Sequence, residues 1–249
     1  MHCHLHENPF YKNIDSFVQE WQQKKIKLIV AVTNDLKSWR RLMRIINSWN
    51  EGILPSLGWH PWKVKKQPQE EDFERYNQLV KQAKWIGEIG LDYHFIKDKE
   101  RYPYQKEVFQ FMLDLASKNN LPCTIHSKGA EEEVFNIIKN HGIDPSRVII
   151  HWYSGSEKIL EFFIKLGVYF SVTPAIYYSK HRKVVELTPI NQLLSESDGP
   201  TKYEGKIGSP CSMESIIEEI SKIKQYSIID VQKTLSTNAQ TILFRKNPQ

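Results

Sequence analysis

The chain has 249 residues, of which 40% are hydrophobic and 25% are charged, a composition typical of one compact globular protein. A net charge of +5 is compatible with an anionic partner but is too small to indicate one alone. The longest apolar run, residues 28–32, is far shorter than a bilayer span, and no basic segment followed by an apolar one opens the chain. These features argue against a bilayer-spanning helix and against export. We therefore expect a soluble, cytoplasmic protein with no membrane partner.

The three cysteines are Cys3, Cys123 and Cys211. Their number is odd, they are widely scattered, and no Cys-x-x-Cys pair occurs, so neither a disulfide framework nor a zinc knuckle is indicated. This cysteine usage fits a reducing compartment.

Short β-branched or apolar runs recur along the chain, separated by amphipathic or charged segments of helical length. The predicted strands are residues 1–4, 26–32, 53–59, 85–91, 122–126, 148–151, 168–172 and 192–197. The predicted helices include IDSFVQEWQQKK, YQKEVFQFMLDLASKNN, GAEEEVFNIIKNHG and SEKILEFFIKLG, and two more follow the last strand. Gly142 and Gly167 close two of these helices, as glycine commonly does.

Eight strand–helix repeats in 249 residues predict an α/β protein, a (β/α)8 TIM barrel formed as a single domain over residues 1–249. A doubly wound open sheet would give a similar linear pattern and remains an alternative. No linker, low-complexity tract or change in composition divides the chain, which favours one domain.

Unusual polar residues fall at the carboxyl ends of the predicted strands, where barrel enzymes carry their chemistry. His2 and His4 are two residues apart on strand one, so both imidazoles lie on one face and Cys3 on the other. Glu88 interrupts the apolar strand WIGEIGL, where a carboxylate is costly to bury unless a cation or strong hydrogen bonds neutralise it. His126, His151 and Asp198 end strands five, six and eight.

Four imidazoles and two carboxylates are the nitrogen and oxygen ligands that Zn²⁺, Mn²⁺ and Mg²⁺ accept. Six ligands exceed the needs of one tetrahedral ion. We therefore expect two divalent ions, roughly 3.5 to 4 Å apart and bridged by a carboxylate and a hydroxide, an arrangement suited to in-line attack on a phosphate.

The other histidines have simpler interpretations. His6 follows the end of strand one and is expected in a loop, outside the metal site. A purification tag does not explain HCHLH, because other residues lie between its histidines and ordinary protein sequence follows them. His94 and His181 are expected at the surface or in loops. His60, in GWHPW, is either a contact to a substrate phosphate or a hydrogen-bonded rim residue.

In order along the chain, HCHL, GWHPW, GEIGLDYH, TIHSK, HWYSG and ESDGP resemble the motifs of the TatD family of metal-dependent hydrolases and deoxyribonucleases. The segment STNAQTILF is similar to the terminal helix of that family. The resemblance implies a TIM barrel, a divalent metal centre and hydrolysis of phosphodiester bonds, commonly 3′-to-5′ on single-stranded DNA. By position, it implies that His2, His4 and Asp198 hold one metal and His126 and His151 the second, with Glu88 as the bridge.

The chain departs from the family pattern at several points. Only Met1 precedes the His-x-His pair, so we expect either that the true start lies upstream or that a neighbouring segment covers the gap. Lys128 stands where arginine is frequent, HWYSG carries bulkier aromatic residues, and the segment after Asp198 lacks an arginine-asparagine-proline signature. These departures concern substrate contacts, for which the predicted residues are His60, Tyr93, Lys128 and Trp152.

Asp198 and Glu88 are the predicted catalytic residues. Asp198, a ligand with a free carboxylate edge, is expected to take the proton from the attacking water. Glu196 shares the inward parity of Asp198 and is expected either to orient a ligand or to make a structural hydrogen bond.

Basic and aromatic residues are interleaved in the loops that follow the strands, a mixture able to bind phosphates and stack unpaired bases. Lys63, Lys65, Lys66, Lys97, Arg101, Lys180, Arg182 and Lys183 alternate there with Trp62, Tyr93, Phe95, Trp152, Tyr177 and Tyr178. These loops also carry acids such as Asp98 and Glu100, and rim aromatics often only pack. The predicted partner is nucleic acid, single-stranded DNA above all, and the chain is taken as a monomer.

Two other functions are compatible with the sequence. The same barrel could hydrolyse a carbonyl ester or amide, such as the ester of a mischarged aminoacyl-tRNA or a small-molecule amide, because a fold does not fix its substrate. A barrel that keeps metal only as a structural staple would serve as a binding protein, and the presence of every predicted ligand argues against it.

Overall fold

Eight parallel strands lie side by side in chain order in one curled sheet. The computed structural model describes residues 2–49 and 51–244. The strands are β1 (His2–Cys3), β2 (Ile29–Ala31), β3 (Ile53–Leu57), β4 (Trp85–Gly90), β5 (Cys123–His126), β6 (Val148–His151), β7 (Tyr169–Val172) and β8 (Leu193–Ser195).

The two edges of this sheet meet, which closes the barrel. Cys3 forms a parallel bridge with Gly199, just beyond β8. The amide of His4 donates to the carbonyl of Gly199 at 2.7 Å, and the amide of Asp198 donates to the carbonyl of His2 at 3.1 Å. The predicted TIM barrel is confirmed, and the doubly wound sheet is excluded because each strand pairs with the next one in the chain and the last edge meets the first.

Helices connect successive strands, as parallel pairing requires. They are α1 (Ile14–Gln23), α2 (Leu36–Ser48), α3 (Glu70–Leu79), α4 (Tyr102–Lys118), α5 (Glu131–His141), α6 (Glu157–Leu166) and α7 (Ser179–Leu187), followed by α8 (Met213–Lys224) and α9 (Ile228–Phe244) after the last barrel strand. A short antiparallel hairpin, β9 (Lys202–Tyr203) and β10 (Lys206–Ile207), lies between β8 and α8 and was not predicted from the sequence.

The helix ends follow local chemistry. Gly142 and Gly167 adopt left-handed conformations, with φ of 78° and 93°, at the ends of α5 and α6, which confirms the predicted termini. Asp35 and Ser38 form a capping box at the start of α2, where the Asp35 side chain accepts a hydrogen bond from the Ser38 amide at 2.7 Å.

Apolar side chains fill the end of the barrel where the strands begin. Val30, Trp85, Ile149, Tyr169 and Leu194 come from five different strands, yet they pack in one cluster with Ile242 of α9. Residues from opposite sides of a closed sheet can meet only inside it, so this cluster plugs the amino-terminal end of the barrel. The polar residues lie at the other end.

Within the described part of the chain, seven of the eight predicted strands extend beyond the observed ones, and the sixth has the predicted bounds. The first was predicted over residues 1–4 and is observed at His2–Cys3, with Met1 outside the described residues. The eighth was predicted to end at residue 197 but ends at Ser195, because the chain then turns to pair with β1 through Asp198 and Gly199. Among the described residues, no helix combines the length and apolar character needed to cross a membrane.

Candidate metal centre

The six predicted ligands converge at the carboxyl end of the barrel, although they come from five separate parts of the chain. His2 lies in β1 and His4 directly after it, Glu88 lies in β4, and His126 and His151 are the last residues of β5 and β6. The sixth, Asp198, follows β8. Five of them are buried, with 9% or less of their surface exposed, and His126 is partly buried.

The two-residue spacing on the first strand has the predicted effect. The Nε2 atoms of His2 and His4 lie 3.2 Å apart and face the same interior space. Cys3 points the other way, where its thiol contacts the carbonyl of Gly199 at 3.6 Å. The alternation of a β-strand therefore brings both imidazoles to one side of the barrel wall.

Glu88 lies between two groups of histidines. Its Oε2 atom is 3.6 Å from Nε2 of His2 and 3.5 Å from Nε2 of His4. Its Oε1 atom is 2.9 Å from Nδ1 of His126, 3.3 Å from Nε2 of His60 and 3.8 Å from Nε2 of His151. Burial would raise the pKa of this carboxyl, but the surrounding histidines outweigh burial and hold its pKa well below the usual range.

Asp198 presents its two oxygens to different partners. Oδ1 is 3.3 Å from Nε2 of His2, 3.5 Å from Nε2 of His4 and 3.9 Å from Nε2 of His151. Oδ2 accepts a hydrogen bond from the Thr201 hydroxyl at 3.1 Å. The backbone of Asp198 has a φ of 45°, a conformation uncommon for residues other than glycine, so the local turn fixes the direction of this carboxylate.

Four donor atoms, from His2, His4, Glu88 and Asp198, form a first group with the spacing that a small divalent ion requires. The distances that join His2 Nε2, His4 Nε2, Glu88 Oε2 and Asp198 Oδ1 lie between 3.2 and 3.6 Å for the five pairs of atoms given above. A tetrahedron with metal–ligand distances of ~2.0–2.1 Å has edges of about 3.3–3.4 Å. Two nitrogen and two oxygen donors at this spacing fit Zn²⁺ or another first-row divalent ion.

The second group also leaves suitable donors free. His151 uses Nδ1 for Glu196, at 2.6 Å from Oε1, and turns Nε2 toward Glu88 and Asp198. His126 uses Nε2 for Asp92, at 2.8 Å from Oδ2, and turns Nδ1 toward Glu88. Metal-binding histidines commonly engage their other ring nitrogen with a carboxylate in this way. The arrangement therefore offers one nitrogen of each ring to a cation beside Glu88 Oε1.

The electrostatics of the cluster favour bound positive charge. Burial would lower the pKa of His4, but contacts with Asp198 and Glu88 outweigh burial and raise its pKa to about 10. Burial would likewise lower the pKa of His151, yet Glu196, Asp198 and Glu88 raise its pKa to about 10. His2 differs, because burial and the neighbouring His151 hold its pKa well below the usual range, so its ring is neutral and can offer a lone pair. At His4 and His151 the carboxylates favour positive charge, which a divalent cation can supply in place of protons.

A cavity of about 360 Å³ opens directly over these side chains. Three of the four predicted substrate contacts line it: His60, Lys128 and Trp152. Tyr93 is not among the lining residues, because its ring stacks on Tyr102 at 3.8 Å and its hydroxyl donates to Glu133 at 2.6 Å. Its role as a substrate contact stays a prediction from the sequence, with no support in this placement.

His60 faces the cavity with a defined tautomer. Its Nδ1 atom accepts a hydrogen bond from the Trp62 amide at 3.1 Å, so the ring proton resides on Nε2, 3.3 Å from Glu88 Oε1. Burial lowers the pKa of His60 and favours this neutral form. A ring that presents an N–H to the cavity is a hydrogen-bond donor there.

The basic rim is smaller than the sequence suggested, because several cations are engaged elsewhere. Arg101 donates to the backbone carbonyls of Val64 and Trp62, at 2.8 and 3.0 Å, and so fixes the loop after β3. Arg182 pairs with Glu219 at 2.7 Å and Lys183 with Glu186 at 3.4 Å. Lys63 lines a second cavity of about 320 Å³, which shares Glu7 and Asn34 with the first and is also lined by Lys37 and Arg41.

The remaining histidines are placed as follows. His6 is buried in the turn after β1, where its Nδ1 lies 3.1 Å from the Val32 carbonyl. With His4 and Glu7 it forms another group of potential metal donors, which shares His4 with the main cluster. His94 is exposed in the loop after β4, as predicted. His181 lies in α7 and accepts a hydrogen bond from the Trp152 indole at 3.1 Å, rather than lying free in a loop.

Asp92 and Thr201 belong to the site but were not singled out by the sequence analysis. Asp92 is fully buried and contacts His126, and Thr201 contacts Asp198 and lines the cavity. A signal for Asp92 existed: it follows β4 by two residues in GEIGLDYH, at the end of the barrel where polar residues gather. No comparable signal marks Thr201, since its position depends on the turn after Asp198.

Comparison with known proteins agrees with this geometry. The sequence pattern of the family described as TatD related DNase matches residues 1–244. The chain is 30% identical to the uncharacterized metal-dependent hydrolase YabD of Bacillus subtilis, covering 99% of this chain and 98% of that protein. It is 26% identical to the human protein named deoxyribonuclease TATDN3, covering 96% and 91% of the two chains. The crystal structure of the TatD homologue YjjV from Escherichia coli superimposes with a TM-score of 0.88 at 24% identity, over 97% of this chain and 96% of that one, and shares its fold.

Proposed function

The chain belongs to the TatD family of metal-dependent hydrolases, and from that premise we propose that it hydrolyses phosphodiester bonds in nucleic acid. The proposed activity is that of a 3′-to-5′ exonuclease on single-stranded DNA, dependent on two divalent ions. The DNA substrate is supported by relatives that are named deoxyribonucleases, and the 3′-to-5′ direction by the family resemblance of the sequence motifs.

One observation carries the proposal: the two oxygens of Glu88 face two different sets of donors. Oε2 faces His2 and His4, and Oε1 faces His126 and His151. A carboxylate in this position can hold one ion with each oxygen, so the structure supports a bridging role. The proposed metal ligands are His2, His4, Glu88, His126, His151 and Asp198.

The donor set fits Zn²⁺, Mn²⁺ or Mg²⁺, although the four imidazoles favour Zn²⁺ and Mn²⁺ over Mg²⁺, which prefers oxygen. When bound, such a pair of ions lowers the pKa of water toward neutrality and polarises a phosphate oxygen. The chain then has to bind the nucleotide, orient its phosphate and accept one proton.

Asp198 is suited to accept that proton. Its Oδ1 atom faces His2 and His4, while Oδ2 is turned toward Thr201 at the cavity wall. One oxygen is therefore available to the metal and the other to water. The Thr201 hydroxyl donates a hydrogen bond to Oδ2 of Asp198 and so holds this oxygen in place.

His60 and Lys128 supply the groups that a phosphate needs. The Nε2–H of His60 lies in the cavity near Glu88 Oε1. Lys128 lines the same cavity, and its ammonium donates to Ser154 Oγ at 2.8 Å. A neutral N–H donor and an ammonium can share the charge of one phosphate. This placement supports both as substrate contacts.

Aromatic side chains frame the same cavity. Trp62 and Phe95 pack edge to face, with ring centroids 5.5 Å apart, and remain 44% and 59% exposed. Trp152 lines another part of the wall. Every base has a π-face, so such platforms bind unpaired bases without regard to sequence.

The dimensions of the cavity support action at a strand end. A volume of about 360 Å³ is at the lower end for small-molecule sites, and its floor is the metal centre itself. A space of this size suits one terminal nucleotide better than a duplex. The adjoining cavity, with Lys37, Arg41 and Lys63, lies where the rest of a strand can leave.

The test is a chelator and add-back assay on single-stranded oligonucleotides labelled at either end. We expect cleavage to stop on treatment with EDTA, to return with Mn²⁺, Mg²⁺ or Zn²⁺, and to shorten 5′-labelled strands one nucleotide at a time. Carbonyl esters and amides, including an aminoacyl-tRNA, are assayed beside them. Metal-dependent hydrolysis of an ester or amide without cleavage of DNA would contradict the proposal.

A further inference from the structure

Asp92 contacts two groups that belong to different parts of the site. It is fully buried directly after β4. Its Oδ2 atom accepts a hydrogen bond from the Trp62 indole at 2.6 Å and lies 2.8 Å from Nε2 of His126. One oxygen thus links an aromatic residue of the cavity wall with a proposed metal ligand.

The other oxygen of Asp92 is also satisfied. Oδ1 accepts hydrogen bonds from the amides of His94 and Phe95, at 2.9 and 2.7 Å. Gln105 of α4 holds the Asp92 backbone, because its Oε1 accepts from the Asp92 amide at 2.9 Å. An ionised carboxylate has about four acceptor positions, and here all are used by donors. The position of Asp92 is therefore fixed from four directions.

We infer that Asp92 is a positioning residue that selects Nδ1 of His126 as the metal-binding nitrogen and, through the same oxygen, holds the Trp62 indole as a wall of the substrate cavity. The inference rests on the proposed function, since it assigns His126 to a metal. Both ring nitrogens face carboxylates, Nε2 at 2.8 Å from Asp92 Oδ2 and Nδ1 at 2.9 Å from Glu88 Oε1. A cation bound beside Glu88 would take the place of a proton on Nδ1, and the ring would keep its Nε2–H for Asp92.

Replacement of Asp92 by asparagine separates these roles from simple packing. The two backbone amides cannot change, so the amide oxygen of asparagine stays with them and its NH₂ group faces Trp62 and His126. An NH₂ group cannot accept a hydrogen bond. His126 then offers a lone pair from Nε2 and carries its proton on Nδ1, the nitrogen that should bind the cation. The fold is kept while the tautomer is reversed.

The first measurement needs no variant. The ¹⁵N and ¹H signals of the His126 ring, recorded with the Zn²⁺-loaded protein, report which nitrogen carries the proton. We expect Nε2–H, with Nδ1 shifted by the bound ion. A proton on Nδ1 with Zn²⁺ on Nε2 would overturn the inference, whether or not any variant folds.

The second measurement is Zn²⁺ affinity by calorimetry. We expect Asp92→Asn to weaken Zn²⁺ binding by about 10- to 100-fold and to move the His126 proton to Nδ1. Asp98→Asn is the matched control, because Asp98 lies in the same loop and only caps the Glu100 amide. It should leave the affinity unchanged.

Trp62→Phe separates the two halves of the inference. The variant removes the indole N–H but not the contact between Asp92 and His126, so we expect an unchanged Zn²⁺ affinity and a raised KM for oligonucleotides. In Asp92→Asn both the affinity and the KM should worsen.

The outcomes distinguish this inference from the proposed function. If the wild type binds no divalent ion, both fall together. If the wild type binds Zn²⁺ and Asp92→Asn binds it equally well with an unchanged His126 tautomer, only the role of Asp92 is refuted.

Discussion

The Oε1 atom of Glu196 lies 2.6 Å from Nδ1 of His151, and both side chains are buried at the closed side of the metal cluster. The other oxygen of Glu196 is 3.7 Å from Nδ1 of His2. The carboxylate therefore fixes the His151 ring and leaves its Nε2 atom for the cluster, whereas at 3.7 Å it lies near the His2 ring without a hydrogen bond to it. The sequence left open whether Glu196 orients a ligand or makes a structural bond, and this geometry supports the former.

From this relationship we predict that Glu196→Gln weakens divalent-ion binding by about 10- to 100-fold, because a neutral amide is a weaker partner for the His151 ring than the carboxylate. Calorimetric titration with Zn²⁺ measures the change. Glu157→Gln, at the exposed start of α6, is the control and should bind as the wild type does. An unaltered affinity in Glu196→Gln would show that the His151 ring is held by packing alone.

Asp198→Asn should reduce kcat by about 10²- to 10⁴-fold, the range lost when a general base is removed, with little change in KM. Steady-state cleavage of an oligonucleotide at saturating Mn²⁺ gives both constants. Thr201→Val tests the supporting hydrogen bond at 3.1 Å and should cause a smaller loss of kcat. A normal rate in Asp198→Asn would remove this carboxylate from the proton transfer.

Trp152 has a φ of 40°, which is rare for a bulky residue, and its indole donates to His181. If its ring stacks on a base, Trp152→Ala should raise KM about 5- to 150-fold, the equivalent of ~1–3 kcal/mol per stacked base. Trp49→Ala is the matched control, because the Trp49 indole donates to Asp15 of α1 and does not line the cavity. Equal KM values in both variants would show that Trp152 only packs.

Binding of a polyanion should be weakened by salt. We expect the logarithm of kcat/KM to fall linearly with the logarithm of salt concentration, and Lys63→Gln to make the slope shallower by about one. Lys222, which pairs with Glu219 on α8, supplies the control substitution. A salt-independent rate would count against a nucleic-acid substrate. An unchanged slope in Lys63→Gln would show that Lys63 does not contact a phosphate of the substrate.

Asp35 makes a pH-dependent contribution to stability. Burial would raise its pKa, but hydrogen bonds from Ser38 at the start of α2 outweigh burial and lower it. A pKa lower in the folded state than in the unfolded state stabilises the protein above the unfolded pKa of about 3.9, and this stabilisation is lost as the pH falls through the folded pKa. Asp35→Ala should lose about 1 kcal/mol of unfolding free energy at pH 7.

Urea denaturation at pH 7 and pH 3 checks this prediction. The difference between the wild type and Asp35→Ala should shrink at the lower pH. Asp35→Asn keeps an N-capping oxygen without the titrating carboxyl, so its stability relative to Asp35→Ala should stay the same at both values. A difference between wild type and Asp35→Ala that does not change with pH would contradict the assignment of the lowered pKa to this cap.

The strand order and the convergence of the site were predictable because both follow from local periodicity. Glu88 stood out as a charge in an apolar strand, and His2 and His4 as a pair with strand spacing. Parallel strands of a barrel end at one mouth, so residues remote in sequence were expected to meet there. The helix ends at Gly142 and Gly167 were predictable for a local reason too, because glycine adopts the left-handed conformation that ends a helix.

Features that depend on tertiary contacts were less accessible from the sequence. Tyr93 was expected at the substrate cavity, but Tyr102 and Glu133, from the following helices, draw it away. Arg101 and Arg182 were expected to face a polyanion, yet backbone carbonyls and Glu219 engage them. Tertiary neighbours decide which basic side chains remain available to a substrate and which buried acids orient the histidines. No periodic pattern in the sequence reveals these neighbours.

The most direct test of the central claim is anomalous diffraction from crystals soaked with Mn²⁺ or Zn²⁺. The arrangement predicts two peaks, one on each side of the Glu88 carboxylate: the first among His2, His4 and Asp198, and the second beside His126 and His151. A map with no anomalous peak at these side chains, or with density on one side of Glu88 alone at saturating metal, would contradict a two-ion centre.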